Sequence, residues 1–295
     1  MLLKIKSILL HLRFPFSVFL LPVFLFALSD TAINDWQPIF VIFIILHVII
    51  YPSSNGYNSL MDKDEGYSIG GLKSPPKVPK EMLLVTLALD SLGLLLFYIY
   101  FQNFIAFALL LLYIIASRLY SNRTVRLKKY PIVGFLTVAI VQGAVVYLLV
   151  SYSFNNTLAF NWALALKLGI SFLLVGAGYP LTQVYQHEQD GKDGVKTISM
   201  LLGIKNTFKF SNILFMLLGV LMAIYFIFVK NEIYQLLIFL ICLLPVLLFF
   251  VKWKTKVFKN QSEANFENTM KMNITGSVCV NIFILIIIIL NQIYH

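Results

Sequence analysis

The feature that most constrains this chain is a series of long apolar runs that recurs along its whole length. A bilayer-spanning helix needs roughly 20 mostly apolar residues. Charged residues make up 12% of the 295, where a soluble domain usually carries about 25%. These features predict an all-α, polytopic membrane bundle of about nine transmembrane helices, forming one domain over residues 1–295. The predicted spans are 14–29, 37–54, 82–100, 104–117, 131–151, 163–183, 208–229, 233–251 and 273–291.

The distribution of positive charge predicts the orientation of these spans. The formal net charge is +10, which is also common in nucleic-acid-binding proteins. Here, however, all lysines and arginines except Lys167 and Lys230 lie in the amino-terminal segment or in alternate loops. The positive-inside rule therefore predicts a cytoplasmic amino terminus, an external carboxyl terminus and no nucleic-acid partner. The expected location is a bacterial cell (inner) membrane.

The amino-terminal segment has a second interpretation. Basic residues precede an apolar stretch, and Ala27-Leu28-Ser29 resembles a cleavage site, as in a signal peptide. We prefer the membrane-span interpretation because the alternation of charged loops requires the first span to be retained.

Two acidic clusters follow the second and sixth predicted spans. The first runs from Asn58 to Gly66. If the second helix continues through it, Asn58, Asp62 and Glu65 share one face. In the second cluster, Gln183, Gln186 or His187, and Asp190 share a face in the same way.

Oxygen ligands of this kind suit Mg²⁺, which usually bridges one or two carboxylates to the phosphates of a substrate. The two clusters therefore predict magnesium on either side of a diphosphate. The alternative is that each cluster is a solvated loop.

A basic loop follows the fourth predicted span, from Tyr120 to Lys129. Arginine and lysine side chains bind phosphate oxygens directly. The same charges would also serve as a simple cytoplasmic anchor. The occurrence of this loop on the same predicted side as both acidic clusters favours phosphate binding.

Asp90, Gln142 and Lys167 are polar residues inside predicted spans that call for an explanation. Asp90 and Gln142 are interpreted either as pocket residues or, for Asp90, as a hydrogen bond between helices. Lys167 lies near the outer end of its span, so its side chain is expected to reach the headgroups. The aromatic residues Tyr113, Tyr147 and Tyr179 could line a pocket or pack at the interface, and we prefer packing.

The order and position of these motifs resemble the UbiA superfamily of intramembrane aromatic prenyltransferases. That superfamily has nine transmembrane helices, an N-D-x-x-D-x-x-x-D motif after helix two, a Y-S-x-x-x-x-R-x-K loop after helix four and a D-x-x-x-D motif after helix six. The sequence departs from this pattern at Ser59, Gly66 and Gln186, where the superfamily usually has Asp. The matching residues are Asn58, Asp62, Tyr120, Ser121, Arg126, Lys128 and Asp190, with Arg13-Phe-Pro and Lys196-Thr197-Ile198 similar to flanking segments.

The resemblance implies Mg²⁺-dependent transfer of a prenyl group from a polyprenyl diphosphate to an acceptor. The reaction would take place within the membrane, in contact with membrane lipid. The implied acceptor is an aromatic quinone precursor; haem, a tetrapyrrole alcohol ester or a glycerophosphate stay open, as does the donor's chain length. Implied catalytic residues are Asn58, Asp62 and Asp190. Implied metal ligands are Asn58, Asp62, Glu65, Gln186 and Asp190. Implied diphosphate-binding residues are Tyr120, Arg123, Arg126, Lys128 and Lys196.

Two other functions stay open at this stage. A secondary transporter would use the carboxylates to bind a coupling cation, but such sites usually lie near the bilayer midplane. A non-catalytic relative of the superfamily would explain the departures at Ser59, Gly66 and Gln186.

Overall fold

The structure is a computed structural model that describes residues 2–31, 35–155 and 157–294. Within these ranges the chain is almost entirely helical and contains no β-strand, as predicted. The helices are α1 (Leu2–Leu12), α2 (Leu21–Leu28), α3 (Trp36–Asp62), α4 (Met82–Phe101), α5 (Phe104–Ser121), α6 (Pro131–Phe154), α7 (Trp162–Gln183), α8 (His187–Lys192), α9 (Ile198–Leu202), α10 (Ile204–Val229), α11 (Ile233–Lys259) and α12 (Phe266–Tyr294).

The number of spans agrees with the prediction. In the described part of the chain, eight helices are long and apolar enough to cross a membrane, and the bent pair Leu3–Phe19 and Leu21–Leu28 makes a ninth. The two halves of this pair meet at 45°. The bend lies at Leu20, whereas Arg13, with φ of 51°, ends α1 within the first half. The helical segment begins at Leu2, before the predicted start of this span at residue 14.

Successive spans alternate in direction, so the two acidic clusters and the basic loop lie at one end of the bundle. We call this end, where α3, α5 and α7 finish, the motif end. Contacts between loops support the arrangement: Arg126 lies 3.4 Å from Asp62, and Lys73 lies 3.6 Å from Glu267. α1 begins at this end, where Lys4 pairs with Glu81, and α12 finishes at the opposite end.

The centre of the bundle is formed by α2, α3 and α6. Ile42, Ile45 and Leu46 on α3 are completely buried there. By contrast, α4, α10 and α11 carry many exposed apolar side chains, such as Leu84 and Ile241. In a membrane protein such a face is covered by lipid, so these helices form the periphery.

Close packing between α6 and α7 depends on Gly143. A Cβ at this position would lie only 2.5 Å from the backbone oxygen of Ser171. Gly143 lies in a π-helical stretch of α6, Ala139–Val145, and a second such stretch occurs in α3, Ile44–Ile50. Small residues at helix contacts allow this approach of backbones within a membrane.

The polar residue Asp90 has a structural partner. Its carboxylate accepts hydrogen bonds from Arg118 Nε at 3.0 Å and from Ser53 Oγ at 2.6 Å. These contacts join α3, α4 and α5. Of the two interpretations of Asp90, the contact between helices is the one that the structure supports.

Lys167 has a protein partner within its span. Its ammonium group lies 2.9 Å from Asp30, near the opposite end of the bundle. Lys230 lies 2.7 Å from the same carboxylate, and Tyr225 donates to it at 2.6 Å. Burial opposes ionisation of Asp30, but the two lysines outweigh it and lower the pKa of this carboxyl.

Candidate active site

A cavity of about 210 Å³ lies inside the bundle at the motif end. It is bounded by α3, α5, α6 and the junction of α7 with α8. Its wall combines the acidic clusters with hydroxyl, amide and apolar side chains; those used below are Ser54, Asn55, Asn58, Asp62, Asp64, Gly70, Tyr113, Ser117, Tyr120, Lys128, Val138, Val141, Gln142, Tyr179, Gln183, Gln186 and Asp190.

The last turn of α3 places the first motif on the wall of this cavity. Asn58 and Asp62 both line it, and Asn58 Nδ2 donates to Ser121 Oγ at 2.9 Å. The helix ends at Asp62 because Lys63 adopts a left-handed conformation, with φ of 55°. The predicted helical continuation to Glu65 is therefore wrong. Glu65 is exposed and is not part of the cavity wall.

The second motif reaches the same cavity from a break between two helices. Gln183 ends α7, His187 begins α8, and Gln183, Gln186 and Asp190 all line the wall. These three side chains therefore lie on one cavity wall, but not on one face of a continuous helix as the sequence suggested. His187 faces away and contacts Ser199 at 2.7 Å.

Asp190 is the least compensated carboxylate of the site. Its side chain makes no hydrogen bond or ion pair with any residue in the described ranges. Burial raises the pKa of Asp190 to about 7; Lys128 opposes this shift and the charge of Asp62 adds to it. A cation bound beside this carboxylate would relieve the cost of ionising it.

Of the five residues predicted to bind diphosphate, the structure brings two to the cavity: Tyr120 and Lys128. Lys128 forms a buried ion pair with Asp62. Tyr120 shares a hydrogen bond with the hydroxyl group of Tyr179.

The other three do not form part of the cavity wall. Arg126 is buried but donates to the backbone oxygen of Asp193 at 2.9 Å. Arg123 donates to the backbone oxygen of Met61 at 2.6 Å. Lys196 is exposed to solvent. The two arginines therefore hold the basic loop against the ends of α3 and α8 in this structure.

The residue at one departure from the superfamily pattern, Ser59, contacts Arg13. Arg13 Nη2 donates to Ser59 Oγ at 2.6 Å and to the buried carboxylate of Asp64 at 2.5 Å. Because Asp64 also lines the cavity, it supplies a third carboxylate close to the motif. Arg13 thereby connects the end of α1 to the acidic site.

A tight turn at Gly70-Gly71 covers part of the cavity, and sequence reasoning missed this role. Both glycines have positive φ, 55° and 81°, as a type I′ turn requires. The backbone N–H of Gly70 donates to Gln186 Oε1 at 3.1 Å, and that of Gly71 donates to the Tyr185 hydroxyl at 2.8 Å. The Gly-Gly pair is a turn signal in the sequence, but it does not reveal what the turn covers.

Both ends of the Gln186 carboxamide therefore bind neighbouring protein groups. Its oxygen accepts from Gly70, and its nitrogen donates to the backbone oxygen of Thr182 at 2.8 Å. An aspartate would provide the acceptor but not the donor. In this chain the side chain at position 186 fastens the Gly70-Gly71 turn over the cavity.

The inner part of the cavity is also polar. Ser54 and Ser117 share a hydrogen bond, and Tyr113 and Gln142 lie beside them. Tyr113 and Tyr179 both line the cavity, which agrees with the pocket alternative and not with the preferred interpretation as packing groups alone. Tyr147 does not line it and packs against Phe26.

The donor groups present fit a magnesium ion. In the described ranges, no group of three or more His, Cys, Asp or Glu side chains is arranged around a common point. Mg²⁺ does not need one, since it is commonly bound by one or two carboxylates, waters and substrate phosphates. Asp62, the uncompensated Asp190 and the amide oxygen of Asn58 are suitable ligands on the cavity wall.

The fold and the cavity together define a helical integral membrane protein with an acidic, polar cavity at one end of the bundle. A sequence profile described as the UbiA prenyltransferase family matches residues 17–275. The chain therefore belongs to this family of prenyltransferases, which confirms the resemblance seen in its motifs.

Solved structures with the same fold cover nearly the whole chain. A UbiA homolog from Archaeoglobus fulgidus bound to GPP and Mg²⁺ is 16% identical, with a TM-score of 0.66, over 96% of this chain and 99% of that one. The same homolog bound to DMAPP and Mg²⁺ is 18% identical, with a TM-score of 0.64, and the match covers 96% of this chain and 99% of that one. Digeranylgeranylglyceryl phosphate synthase is 18% identical, with a TM-score of 0.60, and the match covers 97% of this chain and 98% of that one. No curated protein sequence matches the chain.

Proposed function

We propose that this protein uses Mg²⁺ to transfer a prenyl group from a polyprenyl diphosphate to an aromatic quinone precursor. The reaction would take place in a bacterial cell membrane, with the motif end facing the cytoplasm. The observation that carries the proposal is that Asp62 and Asp190, from distant segments, line one cavity together with Lys128. The Archaeoglobus fulgidus homolog, which has the same fold, is bound to prenyl diphosphates and Mg²⁺ in its structures.

Each side chain of the site has a distinct part in this proposal. Asp62, Asp190 and the amide oxygen of Asn58 would hold the metal, which supplies positive charge to the leaving diphosphate when bound. Lys128, now paired with Asp62, is placed to donate to diphosphate oxygens. The hydroxyl group of Tyr120, which contacts Tyr179, is a further donor on the same wall.

The reaction breaks the bond between the first prenyl carbon and the diphosphate oxygen, and the bonding electrons leave with the diphosphate. A ring carbon of the acceptor forms the new carbon–carbon bond and then loses its proton. Val138 and Val141 give the cavity an apolar side that the prenyl chain can contact. The Gly70-Gly71 turn limits the entry of water, which protects the cationic carbon.

The other two functions have less support. A transporter site is expected near the bilayer midplane, whereas Asp62 and Asp190 lie at one end of the bundle and Asp90 is paired with Arg118. The departures at Ser59 and Gln186 have structural partners in Arg13 and Gly70, so they do not require loss of activity.

A direct assay tests the proposal. The purified protein is incubated with radiolabelled prenyl diphosphates and a panel of aromatic acceptors, with and without Mg²⁺. We expect labelled prenylated product only when Mg²⁺ is present. Absence of product and of Mg²⁺-dependent donor binding would exclude this function.

A further inference from the structure

The inner wall of the cavity has a polarity that an apolar prenyl chain does not require. Ser54 on α3 lies eight residues before Asp62, and Tyr113 on α5 lies eight residues before Ser121. Eight helical residues correspond to about 12 Å along the axis. Ser54, Tyr113, Ser117 and their neighbour Gln142 therefore form a polar region about two turns deeper than the acidic rim.

The groups of this inner region are only partly satisfied by one another. Ser54 and Ser117 share a hydrogen bond, and the Tyr113 hydroxyl lies within reach of Ser54 and Gln142. The carboxamide of Asn55 lines the cavity and makes no hydrogen bond with any residue that the structure describes. Unpaired amide groups inside a membrane are costly, so a polar ligand at this position would stabilise Asn55.

Charge is confined to the rim of the cavity. Among the described residues of the wall, Lys128 is the only cation, and it is paired with Asp62. The inner region carries hydroxyl and amide groups alone. A ligand carboxylate placed there would be buried without a counter-charge, which is strongly unfavourable.

We propose that the acceptor is an uncharged aromatic compound with hydroxyl groups, bound by Asn55, Tyr113 and Gln142, and that a carboxylate or phosphate on it prevents binding. This proposal rests on the proposed function above. The reacting ring carbon exchanges its proton for the prenyl group, and the proton and the diphosphate are released. The transfer therefore needs no oxidant, reductant or further reactant.

Matched acceptors test the proposal on the full-length protein in lipid nanodiscs with Mg²⁺ and geranyl diphosphate. One pair is 1,4-dihydroxynaphthalene and its 2-carboxylate; the other is hydroquinone and 2,5-dihydroxybenzoate. We expect kcat/KM for the uncharged member of each pair to be higher by about a hundred-fold, the effect of an unpaired buried charge.

The outcomes separate this inference from the function on which it rests. Equal or better use of the carboxylated compounds would overturn the inference and leave prenyl transfer standing. Mg²⁺-dependent binding of labelled geranyl diphosphate without any aromatic product would also overturn it. If the donor does not bind, the proposed function fails and the inference fails with it.

Two variants test the assigned residues. Gln142→Leu and Tyr113→Phe should each raise the acceptor KM by about three- to ten-fold, as expected for the loss of one hydrogen bond. The KM for geranyl diphosphate should stay unchanged. Gln37→Leu, at an exposed position near the opposite end of α3, is the matched control and should leave both KM values unchanged. An unchanged acceptor KM in both test variants would refute the assignment.

Discussion

At the scale of single residues, Asp190 provides the sharpest test of the metal site. The carboxylate has no partner in the described structure, and burial raises its pKa to about 7. Asp190→Asn should therefore remove a metal ligand without removing a stabilising contact. We expect turnover to fall by at least about a hundred-fold, the loss of about 2.7 kcal/mol of transition-state stabilisation, with an unchanged or slightly higher melting temperature.

Enzyme assays and thermal melts of the purified variant check this expectation. Glu188→Gln is the matched control, because Glu188 is exposed and pairs with Lys192 at 2.6 Å outside the cavity. The control should retain activity. Wild-type turnover in Asp190→Asn would rule out Asp190 as a ligand, whereas a large drop in melting temperature would point to a packing role. Asp62→Ala should also abolish turnover, but it leaves Lys128 without its partner.

Gln186 gives a second prediction at the residue scale. Gln186→Asp restores the acid of the superfamily pattern, but it shortens the side chain and removes the donor to Thr182. A carboxylate facing that backbone oxygen is repelled, so the Gly70-Gly71 turn should be held less well. We expect lower activity, by about three- to ten-fold from one lost hydrogen bond, and no decrease in the Mg²⁺ concentration needed for half-maximal activity.

A magnesium titration of wild type and variant measures both quantities. Gln189→Asp serves as the control, because it adds the same charge to α8 at a position outside the cavity wall. A reduced Mg²⁺ requirement in Gln186→Asp would show instead that position 186 binds metal. If neither the activity nor the Mg²⁺ requirement changes, position 186 lies outside the site.

At the scale of helices, the contact of Asp90 with Arg118 joins α3, α4 and α5 behind the cavity. Arg118 also donates to the backbone oxygen of Thr86 at 3.1 Å and lies 4.1 Å from the ring of Tyr57. Removing one partner leaves the other charge buried, so Arg118→Leu should lower the free energy of unfolding by about 3 to 5 kcal/mol.

A double-mutant cycle isolates this interaction. The variant Asp90→Leu/Arg118→Leu should be more stable than Arg118→Leu alone, because it contains no unpaired charge. Unfolding in mixed micelles provides the measurement. Strictly additive losses in the double variant would show that the two residues do not stabilise the bundle through each other.

At the opposite end, Asp30 connects the end of α2 to α7 and α10 through Lys167 and Lys230. These lysines hold the pKa of Asp30 below its usual value of 3.8, despite burial. Ionised Asp30 therefore stabilises the folded state fully above about pH 4, and this stabilisation is lost as the pH falls through the lowered pKa.

Asp30→Asn should destabilise the protein by about 3 kcal/mol at pH 6. The difference in melting temperature between wild type and variant should shrink below pH 4. Activity per folded molecule should be retained, because Asp30 lies at the end of the bundle away from the cavity. If the difference in melting temperature between wild type and Asp30→Asn stays the same from pH 6 to pH 3, ionised Asp30 is not the source of the stability.

At the scale of the whole molecule, the orientation in the membrane can be tested with reporters. All lysines and arginines except Lys167 and Lys230 belong to the motif end by sequence position. The positive-inside rule therefore predicts that a reporter inserted in the loop between α5 and α6 is cytoplasmic, and that one fused after His295 is external. Finding both reporters on one side would contradict an odd number of spans between the two reporter positions.

The sequence by itself determined the helical membrane fold, the number of spans and the three motifs, because apolar length and ligand type are local properties of the chain. It also placed Asp62, Lys128 and Asp190 at one end, since spans of fixed length must alternate. It did not determine which polar side chains face the cavity. That depends on where each helix stops, as at Asp62, and on partners distant in sequence.

Only the tertiary structure therefore separated Lys128, on the cavity wall, from Arg123 and Arg126, which are bound by Met61 and Asp193. Likewise, only the tertiary structure gave Gln186 its contact with Gly70, 116 positions away in the chain. Hydrogen bonds act over about 3 Å, so such pairs exist only once helix packing has brought the segments together.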